Sequence, residues 1–373
     1  GANVVVLEAH EPGWGASGRN GGQVNPGLKW DPDEVEAEFG PELGGKLVRL
    51  AWGASESTFN LIRRYQIECD ARQGGTMRAG YLPADAESVR RLAEKCQKRG
   101  MPVSLLEGDA ARKATGTSRY LAVLRDASGG DVQPLDYARG LARAALGAGA
   151  KIFGDTQVKS LTSHGNGWRI ATDRGTVTAE KVVVGTNGYT GDLVPDLKRT
   201  VAPVFSSIAA SEPLEPEVAS KILPAGGVLY EAARITVYYR VDKHRRLLMG
   251  GRGPQRPGVA MSSLRHLTNY AAKLWPAAKG ISAGSRNCSV ISRTSCVRSR
   301  TLATRAVTVA IPLSSRERPP FVQQSGRRAR SLRTVLHPTG KRDVPERHRP
   351  IRFGTAVRHA PATLCPVLAH RCA

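Results

Sequence analysis

The chain has 373 residues, 40% of them hydrophobic, with 55 Lys+Arg against 32 Asp+Glu and a formal net charge of +23. That length and apolar content bury one large core or two linked ones. No run approaches the roughly 18 uninterrupted apolar residues of a membrane span, and no basic stretch leads into an apolar one as in a signal peptide.

In chain order, the apolar run 4–7 predicts a buried parallel strand ending at Glu8. Residues 33–69 read as mostly helical, interrupted near Gly40-Pro41 and Gly44-Gly45, and a second helix covers 85–99 with Gly100 as its stop. Pro134 opens a helix over 135–146, closed by Gly147 and Gly149. Strands follow at 151–153, 158–161, 168–172 and 176–178, the last two joined by the turn Asp173-Arg174-Gly175. Further strands are expected at 182–184, 204–209, 236–240 and 247–250. A final amphipathic helix, capped by Ser262 or Ser263, places Leu264, Leu267, Ala271 and Leu274 on one face before Pro276.

The charge is unevenly placed. Residues 281–373 hold 18 Lys+Arg against Glu317, Asp343 and Glu346, a net +15, which leaves +8 for residues 1–280. All five Trp and all nine Tyr precede Ile281, whereas four of the six Cys follow it. Beyond Ile281 no period of 2 or 3.6 is sustained, so this basic tail reads as disordered or poorly packed. Its Arg clusters, 327–330 and 347–349, could neutralise phosphates, but it has only Phe321 and Phe353 for stacking. Arg-rich sequence also arises when GC-rich DNA is read out of frame. The codons for Ala306 to Ile311, read from their third base, permit Gly-Tyr-Ser-Gly-His, although Ile311 then excludes the following Gly. A displaced frame is therefore favoured over a nucleic-acid arm.

Cys69, Cys96, Cys288, Cys296, Cys365 and Cys372 form no CxxC pair, which favours free thiols in a reducing, cytoplasmic setting. The eight histidines have no metal-ligand spacing, and Cys365 and Cys372 with His370 make a poor zinc set.

Two segments carry chemistry. An acidic residue closing the second strand of a dinucleotide-binding unit accepts hydrogen bonds from a ribose hydroxyl, a role open to Glu8; the plain alternative is a solvated Glu after a buried strand. Residues 15–22, Gly-Ala-Ser-Gly-Arg-Asn-Gly-Gly, let backbone N–H groups approach a ligand, with Ser17, Arg19 and Asn20 as added donors. This loop suits a pyrophosphate or the edge of a flavin ring; alone it could equally be a flexible turn.

Glu8 followed by GASGRNGGQ resembles the D-amino-acid oxidase/glycine oxidase/sarcosine oxidase family, most of all its γ-glutamylputrescine oxidase-like branch. Agreeing motifs follow in order: DVQPL at 131–135, the helix 139–145, GAKI at 149–152, TQV at 156–158, TNGYT at 186–190 and LLMGGR at 247–252. The likeness covers about 1–280. The family's G-x-G-x-x-G strand and turn would precede Gly1, which implies a weakened grip on FAD. Its later strand pair and "GYSGHG" loop do not appear as written.

The resemblance implies an α/β fold: a Rossmann-like FAD-binding domain from 1–75 and 131–200, and a substrate domain on an antiparallel sheet from 76–130 and 201–280. It implies FAD as cofactor, with Glu8 on the ribose. Ser17, Gly18, Arg19, Asn20, Gly21 and Gly22 would line the pyrophosphate and ring, Val158 would meet the adenine, and Thr186, Asn187 and Gly188 would close over the cofactor. Asn187-Gly188 is also a turn former whatever binds nearby. Arg240 falls where relatives grip a substrate carboxylate, with Arg252 a weaker candidate; a surface-strand Arg is the plain alternative. The implied reaction moves hydride from the carbon bearing an amine to the flavin and electrons on to oxygen. No catalytic His or acid pair is needed. An inactive remnant and a nucleic-acid-binding protein are the competing readings.

Overall fold

The computed structural model describes residues 3–233, 236–253, 261–276, 292–297 and 309–310. Strand β1 (Val4–Leu7) forms from the first apolar run and pairs in parallel with β7 (Lys151–Phe153). Its other side is taken by β16 (Val309–Ala310), antiparallel. A single turn, α1 (Ala16–Arg19), and the short β2 (Gln23–Val24) follow.

Asp31 caps α2 (Pro32–Trp52) in a capping box with Glu34, and Pro32 fits the first turn because no N–H is needed there. Of the two breaks expected in this helix, only that at Gly40-Pro41 is real: Gly40 has φ 77° and Pro41 supplies no N–H, so the helix kinks there, whereas Gly44 and Gly45 stay helical. Helix α3 (Ala54–Arg64) buries Ser55, Phe59 and Ile62, a stripe at i, i+4 and i+7.

Next come β3 (Thr76–Gly80), α4 (Pro83–Lys98), β4 (Val103–Glu107), α5 (Gly108–Thr115), β5 (Ala122–Asp126) and β6 (Gly130–Asp131). Of these, α4 is legible in the sequence but the four short strands are not, because their apolar runs are too brief to show a period. Helix α6 (Pro134–Gly147) begins where Gln133 accepts from the Leu135 N–H. A separate three-stranded sheet, β8 (Val158–His164), β9 (Gly167–Thr172) and β10 (Thr176–Ala179), lies beyond β7.

The remaining elements are α7 (Pro195–Thr200), β11 (Val201–Ala210), α8 (Pro216–Ala219), β12 (Val228–Glu231), β13 (Tyr238–Val241), β14 (Leu247–Arg252), α9 (Arg265–Leu274) and β15 (Ser292–Val297). Eight strands make one sheet in the order β15-β11-β14-β13-β12-β3-β5-β4, antiparallel except between β12 and β3. One face carries Met77, Leu229, Tyr239, Leu247 and Met249 into the main core, where α9 adds Leu267, Ala271 and Leu274. Alternation turns Tyr238 and Arg240 to the opposite face.

Three further expectations change. Residues 182–184 form no strand; Val182 packs beside Ile170 and Ala179 without a ladder partner. Helix α9 starts at Arg265 after a one-turn 3-10 helix, Met261–Leu264, and no side chain caps it, so neither Ser262 nor Ser263 is the cap. Within the basic tail, β15 pairs with β11 and β16 with β1. The Arg clusters at 327–330 and 347–349 lie outside the described residues.

Candidate functional site

The glycine-rich loop is held from both sides. Asn20 folds back on it: Oδ1 accepts the Gly22 N–H at 2.8 Å, and Nδ2 donates to the Ser17 carbonyl at 2.9 Å and the Ala16 carbonyl at 3.2 Å. The Val132 N–H donates to the Gly22 carbonyl, and β2 pairs with β6 so that Gln23 faces Asp131. Gln23 Nε2 reaches the Leu229 carbonyl on β12 at 3.0 Å, tying the loop to the large sheet.

Glycine is required here for space as well as for conformation. A Cβ at Gly18 would sit 2.1 Å from the Gly13 carbonyl oxygen. At Gly21 it would meet the Tyr238 ring at 2.7 Å. A cavity of about 280 Å³ opens beside the loop, lined by Ser17, Asn20, Gln23, Asn25, Ser55 and Tyr137 among others.

Of the residues expected to bind a dinucleotide, the 186–190 turn meets this loop, and Glu8 and Val158 lie at the end of β1. Glu8 follows β1, with Oε1 accepting the His10 N–H. Leu7 and Val158 belong to one apolar cluster, which brings the start of β8 beside the end of β1. The turn at 186–190 reaches the loop through Tyr189, whose ring meets Trp14 edge-on and lies 3.5 Å from where a Gly15 Cβ would stand. Asn187 holds φ 45°, and Thr186 and Thr190 share a hydroxyl hydrogen bond at 2.7 Å. Arg19 is stacked instead: its guanidinium lies 4.4 Å from the Trp14 ring centre, and Trp14 stacks on His10. These features fit FAD. A strand-end carboxylate, a glycine-rich loop with exposed backbone and a cavity beside it are what a ribose, a pyrophosphate and a flavin edge require.

Arg240 does not stand open to a substrate carboxylate. Its side chain is 7% exposed and its Nη1 lies 2.8 Å from Asp131 Oδ2, while Nε donates to the Gly21 carbonyl at 2.7 Å. The sequence showed the right face of the strand, but Asp131 already fills the role assigned to a ligand. Burial pulls the Arg240 guanidinium below its ordinary value, and the Asp131 charge opposes that. Arg72 Nη2 joins the same Asp131 oxygen at 2.6 Å. Arg252 is exposed near the end of β14 and pairs across with Ser206. Asp131 was visible in the sequence only as part of a motif, and Arg72 carried no signal at all.

A second polar cluster, absent from the sequence reading, lies on the core side of the sheet. Buried Glu231 accepts from Tyr120 at 3.1 Å and from Tyr270, and Arg119 Nε stands 3.6 Å away. Tyr120 and Tyr239 share a hydroxyl hydrogen bond at 3.0 Å. Burial raises the Glu231 carboxyl above its usual range, against the hydrogen bonds and the Arg119 charge. Among the described residues no group of three His, Cys, Asp or Glu could hold a metal ion, and no helix is long and apolar enough to cross a membrane.

An α/β unit with a glycine loop on a mostly antiparallel sheet defines an FAD-binding oxidoreductase fold. The family model described as FAD dependent oxidoreductase matches residues 1–315, and the chain belongs to that family. The match runs past Gly280 and takes in β15 and β16.

Gamma-glutamylputrescine oxidoreductase of Escherichia coli is 33% identical over 258 residues, 67% of this chain and 59% of that protein. A probable oxidoreductase OrdL of Rhizobium meliloti is 29% identical over 278 residues, 74% of this chain and 64% of that one. The chain thus spans about three fifths of the length of these relatives. Glycine oxidase of Geobacillus kaustophilus superposes with a TM-score of 0.65 at 20% identity, over 79% of this chain and 77% of that one. These likenesses support FAD as the family's cofactor.

Proposed function

We propose that the chain oxidises a small amine or amino acid at a CH–NH bond, with FAD as cofactor and oxygen as final acceptor. The observation that carries this reading is the glycine-rich loop of residues 15–22, where no Cβ fits at Gly18, Gly21 or Gly22, held between a cavity and the large sheet. The named activity of the Escherichia coli relative points to a γ-glutamylputrescine-like amine as the first compound to try.

In this reading Glu8 accepts the ribose hydroxyls, and the backbone of residues 17–22 meets the pyrophosphate and ring edge. Val158 borders the adenine, and the turn of Thr186, Asn187 and Gly188 closes beside the cofactor. When bound, FAD supplies the hydride acceptor. The substrate gives up hydride from the carbon bearing nitrogen and a proton from the nitrogen to solvent, and water converts the resulting imine to a carbonyl compound with release of ammonia or an amine. The Tyr238 ring, packed over Gly21 and Gly250, helps to exclude water from this face of the sheet.

The test is direct. Purified protein titrated with FAD should quench and shift the flavin signal, if only at high concentration. With FAD kept in excess, anaerobic γ-glutamylputrescine or a simple amine should bleach the flavin, and air should restore it. No binding at any FAD concentration, or flavin that no amine or amino acid bleaches, rules the reading out.

A further inference from the structure

We propose that Tyr81, Tyr270 and Glu231 form a binding site for a small alkylguanidinium ligand, in which the chain's own Arg119 sits as a displaceable occupant. The site lies on the core side of the large sheet, away from Tyr238 and the glycine-rich loop. Tyr81 follows β3, Glu231 ends β12, Tyr270 stands on α9, and Arg119 belongs to the irregular segment before β5.

What fills the site shows what it recognises. The Arg119 guanidinium carbon lies 3.9 Å from the Tyr81 ring centre and 4.9 Å from that of Tyr270, within cation–π range of both. Glu231, 2% exposed, supplies the opposite charge, and the Tyr120 and Tyr270 hydroxyls hold its carboxylate in place. Burial disfavours the ionised carboxylate, and a cation in contact with it restores that form. Two aromatic rings beside a buried carboxylate suit a planar cation, which can stack and donate at once.

The resident cation fits imperfectly. Arg119 Nε stands 3.6 Å from Glu231 Oε1, an ion pair beyond hydrogen-bond range, and Nε is buried with no hydrogen-bond partner. The same Oε1 accepts from Tyr120 and Tyr270, and none of these contacts reaches Oε2. The backbone explains the misfit. The Arg119 N–H is held to Thr117 Oγ1 at 3.3 Å, and the next residue, Tyr120, is anchored by its hydroxyl to Glu231 and Tyr239. The Arg119 side chain, 31% exposed, therefore reaches the carboxylate on a tether from the solvent side. A free alkylguanidinium has no tether and can close to the about 2.8 Å of a charge-assisted pair, donating through two N–H groups. It enters along the path that Arg119 occupies once that side chain swings outward.

The test is the thermal midpoint of the full chain in methylguanidinium chloride, with sodium chloride at equal ionic strength and neutral methylurea as controls. No FAD is needed. The unmodified chain should melt higher in methylguanidinium than in either control at about 10–50 mM, because the tethered Arg119 competes at a roughly millimolar or greater local concentration. Arg119→Ala removes the competitor and should lower the concentration needed at least about tenfold. Adding Glu231→Gln to that variant should raise it again at least about tenfold, through loss of one charge-assisted contact. An unmodified chain that melts no higher in methylguanidinium than in the controls overturns the proposal, even if Arg119→Ala fails to fold. So does an Arg119→Ala protein that needs as much ligand as the unmodified chain, or one whose response survives Glu231→Gln.

Discussion

The Gly22 carbonyl accepts the Val132 N–H at 2.8 Å, and a Cβ on Gly22 would stand 2.2 Å from the Val132 carbonyl oxygen. The two backbones are therefore in contact with no room for a side chain between them. Gly22 also holds φ 74°, where an L side chain is strained.

Replacing Gly22 with Ala should destabilise the chain by about 2 kcal/mol or more, from the strained backbone and the clash together. Gly147→Ala is the control, because a Cβ there meets nothing within 4 Å. Urea denaturation should give a clear loss for the first variant and a change within about 1 kcal/mol for the second. Equal midpoints for the two would contradict the close approach.

Asn20→Ala removes the acceptor for the Gly22 N–H and two donors to loop carbonyls. The fold should survive, since these bonds are local and exposed or half-buried. The loop loses its preset shape, however, so FAD affinity should fall roughly tenfold. Fluorescence titration of free FAD into each protein measures this; identical affinities would remove Asn20 from the cofactor site.

Glu231 is a pH prediction. Burial raises its carboxyl in the folded chain above the ordinary 4.5, so the native state holds a proton that the unfolded state releases. That contribution is fully present below pH 4.5 and is lost as pH rises through the folded value. Glu231→Gln keeps an oxygen for Tyr120 and Tyr270 and has no proton to lose. The stability of the unmodified chain relative to this variant should therefore be constant at low pH and fall above about pH 4.5. Thermal melts of both proteins from pH 4 to 8 provide the check, and a relative stability that rises with pH would reverse the assignment.

Cys69 and Cys96 are buried free thiols, each pushed up to about 11 by burial. At pH 8 little of either is thiolate, and neither is accessible to reagent. Iodoacetamide should label both only after denaturation, as followed by mass spectrometry of the two peptides. Rapid labelling of either in the native chain would show that its surroundings open readily.

Much was fixed locally and could be read from the sequence. The β1 run before Glu8, the Gly40-Pro41 break, the α4 and α6 helices and the crowded glycines of residues 15–22 follow from backbone freedom, apolar period and missing N–H groups. These depend on neighbours only a few residues away. Even the face of β13 was legible, because alternation alone separates Tyr238 and Arg240 from Tyr239. What Arg240 does on that face was not. Its partners, Asp131 and Gly21, lie 109 and 219 residues away, and only closure of the sheet over the loop brings them within 3 Å. Glu231 shows the same limit, since its charge state depends on burial and on Tyr270 of α9 together with Tyr120 and Arg119 of the loop before β5. Sequence determines which groups are present and which way a strand turns them. Tertiary packing decides which charges meet out of water, and so which remain available to a substrate.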